Sequence, residues 1–192
     1  ALVAKQAADL AVLSGNRLRL GVGVGWNWVE YEALGEDFAT RGQRANEQIE
    51  LLRRYWTEPT VSFAGRFDRV ARAGIVPRPS VPPPVWVGGF GAASLRRAVR
   101  LGDGFIFGGP RIHVAEQWAR LKELLAEAGR PLEGFGAEYL ILSNEGPADV
   151  AAKVGQWRDQ GGSHAAIVTM GLGLDSTEAH VDYFGSVATA LS

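Results

Sequence analysis

Gly88, Gly89, Phe90 and Gly91 stand between a short apolar run, Val85-Trp86-Val87, and a stretch that takes up helical spacing from Ala92. The first N–H groups of a helix have no intrahelical acceptor, and the positive end of its dipole lies there, so such a start favours an anion. Glycine at the approach leaves no Cβ to hold an anion away from the backbone. The chemistry expected of residues 88–92 is therefore phosphate binding through Gly88, Gly89, Phe90, Gly91 and Ala92. A second pair, Gly108-Gly109, follows the apolar run Phe105-Ile106-Phe107 and is expected to close the other side, with Phe107 at the neighbouring strand end. Arg111, just beyond, is read either as a charge-assisted contact to an anionic tail or as a solvent-facing arginine.

A second group precedes it. The run RLRLGVGV at residues 17–24 leads through Gly25 into Trp26-Asn27-Trp28-Val29-Glu30-Tyr31, an aromatic and acidic stretch read as a functional loop. Trp26, Asn27 and Glu30 are expected at the mouth of a substrate site, and Glu30 is the candidate catalytic group, able to orient a cofactor or donate a proton. The competing readings are a core-filling Trp26 and a helix-start charge at Glu30. Gly21-Val22-Gly23-Val24-Gly25 has G-x-G-x-G spacing with no helix directly after it, so it is not a dinucleotide fingerprint. No phosphate-loop lysine motif, zinc-protease H-E-x-x-H or serine nucleophile elbow occurs. His113, His164 and His180 are scattered and cysteine is absent, so no metal site is proposed.

The elements that must position these residues alternate. A leading helix with Val3, Ala7 and Leu10 on one face stops at Ser14-Gly15-Asn16. Strands are expected at residues 17–24, 85–87, 105–107, 138–142 and 164–170, wholly or largely buried, each followed by a helix. The expected helical stripes are Ala45, Ile49, Leu52 and Trp56; Leu95, Ala98 and Val99; Val114, Trp118, Leu121 and Leu125; Val150, Val154 and Trp157; and Val181, Phe184, Ala188 and Leu191. Arg96, Arg97 and Arg100 fall on another face of their helix. Thr40 with Gln43, and Asp175 with Glu178, are read as helix caps. Residues 61–70, with Gly65 central, read as a small hairpin outside the alternation. Strand–helix alternation means a parallel α/β sheet with right-handed crossovers, whose ligands bind at the C-terminal strand ends. The strands are expected to lie parallel and adjacent in chain order.

With 46% hydrophobic residues in 192, the chain is long enough for a sizeable core, and one domain spanning residues 1–192 is expected. A net charge of −1 from 20 basic and 21 acidic residues offers no field to draw nucleic acid or an anionic membrane. No apolar run approaches the roughly 20 residues of a membrane span. The absence of cysteine suits the cytoplasm.

The ordered set LSGNRL (13–18), GVGVGW (21–26) with Glu30 and ALG (33–35), GRFDRV (65–70), PVWVGG (84–89), LGDGF (101–105) and HAAIVTMGLG (164–173) resembles the luciferase-like monooxygenase superfamily, in particular its coenzyme F420-dependent oxidoreductases. The resemblance implies a TIM-type (β/α)₈ barrel, incomplete here: about strands four to eight with their helices, the first three βα units being absent from the chain. On that implication the natural chain extends some 80–110 residues upstream of Ala1 (about 250 residues in all). It also implies that Gly88, Gly89 and Gly91 cradle a cofactor phosphate, that Phe107 and Gly108 form the neighbouring strand end, and that Gly25, Trp26, Asn27 and Glu30 border the ring or substrate. Trp28 stands where relatives often carry proline. The implied activity is hydride transfer between F420 and a small organic substrate; the alternatives are an FMN-dependent monooxygenase and a non-catalytic or degenerate barrel fragment. The strand at residues 17–24 is expected to be covered by a further segment or by a second copy in a homodimer.

Overall fold

The computed structural model describes residues 1–109 and 113–192, which form two units, Ala1–Asp103 and Gly104–Ser192. The first contains helix α1 (Leu2–Leu13), strand β1 (Leu20–Val22), a short helix α2 (Trp28–Ala33), a 3-10 turn (Phe38–Thr40), helix α3 (Arg41–Thr57), a hairpin of β2 (Val61–Ala64) and β3 (Arg69–Ala73), strand β4 (Val85–Gly88) and helix α4 (Ala92–Leu101). Strands β1 and β4 pair in parallel, with Leu20 opposite Val85, Gly21 opposite Trp86 and Val22 opposite Val87.

Val85, Trp86 and Val87 are all buried, as an apolar strand covered on both faces should be. The Asp103 carboxylate fixes where β4 begins: Oδ2 accepts from Val85 N–H at 2.8 Å and from Arg53 Nη2 at 2.7 Å, while Asp103 N–H donates to Val85 C=O at 2.7 Å. Arg53 also donates to Leu101 C=O, tying α3 to the end of α4. The hairpin turn is held in a similar way, since the Glu47 carboxylate accepts from the backbone N–H groups of Arg66, Phe67 and Asp68 at 2.8, 2.9 and 2.7 Å.

Some expected stripes are displaced. Helix α1 buries Ala4, Ala7, Ala8 and Ala11, leaving Val3 and Leu10 exposed, because the small alanine face lets α1 pack closely on α3 and bring Ala4 C=O to Trp56 Nε1. Thr40 makes no side-chain cap to α3; Asp37 caps the preceding 3-10 turn instead, accepting from Ala39 N–H. Of the stretch Trp26–Tyr31 expected as a loop, residues 28–31 belong instead to α2. β1 is shorter than the expected 17–24 and only partly buried.

The second unit holds β5 (Gly104–Phe107), α5 (Val114–Glu127), β6 (Gly136–Leu142), α6 (Pro147–Asp159), β7 (His164–Val168) and α7 (Thr177–Ala190). β6 pairs in parallel with β5 on one side and β7 on the other. Its core is aromatic: Phe107 meets Trp118 and Trp157 edge-on at centroid distances of 5.9 and 5.5 Å, and Tyr139 reaches Trp157. The two buried indoles spend their N–H groups on Gln160 and His164 carbonyls, as buried tryptophans must. β7 is partly exposed rather than buried. On α7 only Val187 is buried, while Val181, Phe184 and Leu191 face outward, and the cap is Ser176, whose Oγ accepts from Ala179 N–H, rather than Asp175. Both units are thus α/β structures with parallel strands followed by helices.

Candidate functional site

The loops that leave β1 and β4 at their C-terminal ends border one cleft of about 640 Å³ in the first unit. That size lies within the usual range for a small-molecule site. Its walls carry Gly25 and Trp26 after β1, Phe38, Arg41 and Gly42 at the start of α3, and Gly88, Gly89, Phe90, Gly91, Ser94 and Arg97 at the junction of β4 and α4. Parallel pairing of β1 with β4 puts both loops at the same sheet edge.

The α4 N-terminus is open toward this cleft. Gly91 is its N-cap; Ser94 and Leu95 N–H donate back to Gly91 C=O, and the Ser94 hydroxyl also donates to that carbonyl. The N–H groups of Ala92 and Ala93 have no acceptor within the helix. The flanking glycines differ in what they permit. Gly89 sits at φ +154°, and a Cβ there would lie 2.7 Å from Ser94 Cβ, so its glycine is demanded by the loop itself. Gly91 has an extended backbone that any residue adopts, and a Cβ there would meet nothing within 4 Å. No packing reason in the described residues accounts for glycine at 91.

On the other wall, Gly25 has φ +70° and makes the turn out of β1. The Tyr31 hydroxyl donates to Val24 C=O and its ring stands edge-on to Phe38 at 5.3 Å, which joins the loop to the start of α3. Trp26 is 78% exposed and lines the cleft, so it is no core residue. Asn27 caps α2: its Oδ1 accepts from Val29 N–H at 3.3 Å and its Nδ2 donates to Glu30 Oε1 at 3.0 Å. Glu30, exposed in the first turn of α2, is therefore engaged with the cap residue, and neither it nor Asn27 is among the cleft-lining residues.

Arg97 was not legible from the sequence as a site residue. It is buried, with Nε donating to Asn46 Oδ1 at 2.7 Å and Nη2 to Gly42 C=O at 3.0 Å. Burial lowers its pKa, and the charges of Arg100 and Arg41 lower it further. Arg41 stacks its guanidinium 3.7 Å above the Phe38 ring and donates Nη1 to Phe38 C=O. The only available signal was the pair of arginines at 41 and 97 beside glycine-rich turns, which composition does not single out.

Phe107, Gly108 and Gly109 end β5 in the second unit. Gly108 is required by packing, since a Cβ would lie 2.7 Å from Leu140 Cδ1, and Gly109 has φ +120°. Arg111 lies outside the described residues. Among the described residues no cluster of histidine, aspartate and glutamate is arranged to hold a metal ion, and no helix is long and apolar enough to cross a membrane.

A family model described as luciferase-like monooxygenase matches residues 1–175. An uncharacterized protein of Mycobacterium tuberculosis is 45% identical over 162 residues, which cover 78% of this chain and 56% of that protein. The F420-dependent hydroxymycolic acid dehydrogenase of the same organism is 31% identical over 166 residues, covering 85% of this chain and 46% of its own length. The chain thus spans about half the length of these curated relatives. Among solved structures, an F420-dependent secondary alcohol dehydrogenase in complex with an F420–acetone adduct superposes with a TM-score of 0.77, covering 100% of this chain and 74% of that one at 16% identity, a likeness of fold.

Proposed function

Because the chain belongs to the luciferase-like monooxygenase family, we propose that the protein is an F420-dependent oxidoreductase acting on a small organic substrate, with the β4–α4 loop as its phosphate anchor. The observation that carries the anchor is the α4 N-terminus on the cleft wall: Gly91 caps it, and a Cβ at 91 would meet nothing in the protein, so the approach to the helix start is open. Gly88, Gly89, Phe90 and Gly91 shape the approach, and Ala92 with Ala93 offers N–H donors to an oxyanion. The residues present therefore fit a phosphate-bearing cofactor. When bound, F420 supplies the hydride chemistry, and the chain's part is to orient it and exclude water.

Gly25 and Trp26 form the facing wall, where an exposed indole suits a planar ring or an apolar substrate. Asn27 and Glu30 stand beside it as a capped helix start, and Glu30 keeps its proposed role as an acid at the mouth. A cofactor role for Phe107, Gly108 and Gly109, a complete (β/α)₈ barrel to which residues 1–192 contribute strands four to eight as one domain, and a homodimer are readings that the family resemblance supports.

The test is titration of the natural full-length protein with oxidised F420, followed by deazaflavin fluorescence, with FMN in parallel. Saturable F420 binding with weaker FMN binding is expected. Binding of FMN alone would replace the cofactor, and binding of neither would remove the reading.

A further inference from the structure

Among the arginines of the first unit, Arg53 pairs with Asp103, Arg54 with Glu58 and Arg44 with Glu36. The two on the wall of the 640 Å³ cleft are held differently. Arg97 donates to an amide oxygen and a backbone carbonyl, and Arg41 to a backbone carbonyl, so every hydrogen-bond acceptor recorded for them is neutral. Their charges also act on one another, since Arg41 is among the groups that disfavour the charged form of Arg97. Neutral acceptors orient a guanidinium without cancelling its charge. Two such heads in a partly desolvated wall are costly unless an anion joins them.

Arg41 has donors left over for such an anion. Phe38 holds its planar head by stacking and through its carbonyl, and Nε is buried with no partner among the described residues. One carbonyl uses a single one of the five guanidinium donors. Arg97 spends its donors on the first turns of α3 and so fixes the wall from which Arg41 projects.

We infer that Arg41 is a ligand-binding residue, meeting the oxyanion of a phosphate-bearing ligand that sits at the Gly91–Ala92 helix start, and that Arg97 is a positioning residue for it. The cleft then joins backbone N–H donors on the α4 side to a charged planar fork on the α3 side, a pairing suited to a phosphoryl group or an adjoining carboxylate. The identity of the ligand as F420 rests on the function proposed above; the charge contact does not.

The experiment titrates wild-type protein, Arg41→Gln and Arg41→Lys with F420, FMN and inorganic phosphate at low and moderate salt, with thermal unfolding as the control for folding. Arg41→Gln is expected to weaken binding about tenfold or more and to flatten its salt dependence, with Arg41→Lys recovering the salt dependence but only part of the affinity. Wild-type affinity and salt dependence in a folded Arg41→Gln would overturn the inference. Loss of phosphate or FMN binding in Arg41→Gln, with no F420 binding to wild type, would support the charge contact while refuting the cofactor. No binding of any probe to wild type would refute both. Arg97→Lys keeps the charge but not the fork, and is expected to weaken binding without removing the salt dependence; unchanged affinity there would refute the positioning role.

Discussion

Replacing Gly91 by valine separates ligand approach from loop stability. The backbone at 91, with φ −151° and ψ 173°, is extended and suits a β-branched residue, and no heavy atom lies within 4 Å of the new Cβ position. The remaining cost is the loss of a preferred N-cap residue, about 0.5–1 kcal/mol, a few degrees in Tm. In the ligand complex the branched side chain stands where the phosphate must approach Ala92 and Ala93 N–H. Donors left without their partner cost about 1–3 kcal/mol, or roughly 5- to 150-fold in Kd. Gly89→Ala is the internal contrast. Its φ of +154° and the 2.7 Å approach to Ser94 Cβ place the penalty in the free protein, so stability falls along with affinity, by about 1–3 kcal/mol. The assays are a thermal melt and a fluorescence titration with F420 on the same preparations. A Gly91→Val protein that melts within a few degrees of wild type and binds F420 equally well would show that the oxyanion is not anchored at this helix start.

Three further outcomes follow from the packing. Asp103→Ala removes the acceptor of Val85 N–H and of Arg53, and is expected to destabilise the first unit by about 1–3 kcal/mol in urea unfolding; a change under about 0.5 kcal/mol would deny that this carboxylate fixes the start of β4. Burial acts to raise the Glu47 pKa, but the N–H groups of Asp68, Phe67 and Arg66 and the Arg66 charge outweigh it, so the folded value lies below the unfolded one. The stability that Glu47 contributes is then present above the unfolded pKa of about 4.3 and lost as pH falls through the lowered folded value. Amide protection at Arg66 to Asp68 should fall on acidification and do so less in Glu47→Gln, and identical pH profiles would refute this. Gly162→Ala would drive a Cβ into the Trp157 ring, and is expected to destabilise the second unit by about 1–3 kcal/mol, read as loss of near-ultraviolet ellipticity at lower denaturant; a neutral variant would contradict the packing of that indole.

Where apolar pattern and burial coincide, as at Val85 to Val87 or at Trp118, Leu121 and Leu125, the elements were legible in the residues. Burial decided otherwise at α1 and α7. Alanine hides easily against a neighbouring helix, and a stripe of larger residues only implies a core if something covers it. The two loops that border the cleft were readable because glycine placement and helix polarity are local. Gly89 and Gly91 looked alike in sequence and differ only through Ser94, a contact that no spacing rule reports. Arg97 falls with Arg96 and Arg100 on a face apart from the apolar stripe of Leu95, Ala98 and Val99. Periodicity cannot see that Asn46 and Gly42 wait across α3 for its guanidinium.

The contact between Gly42 and Arg97 also limits how this site can change. A Cβ at 42 would lie 2.9 Å from Arg97 Nη2, the nitrogen that already donates to Gly42 C=O. A side chain at 42 obliges the Arg97 head to shift away from the Gly42 carbonyl, and a shorter residue at 97 leaves Asn46 and that carbonyl short of a donor. Substitutions at 42 and 97 are therefore coupled, and the effect of one is expected to depend on the residue at the other although neither needs to touch the ligand.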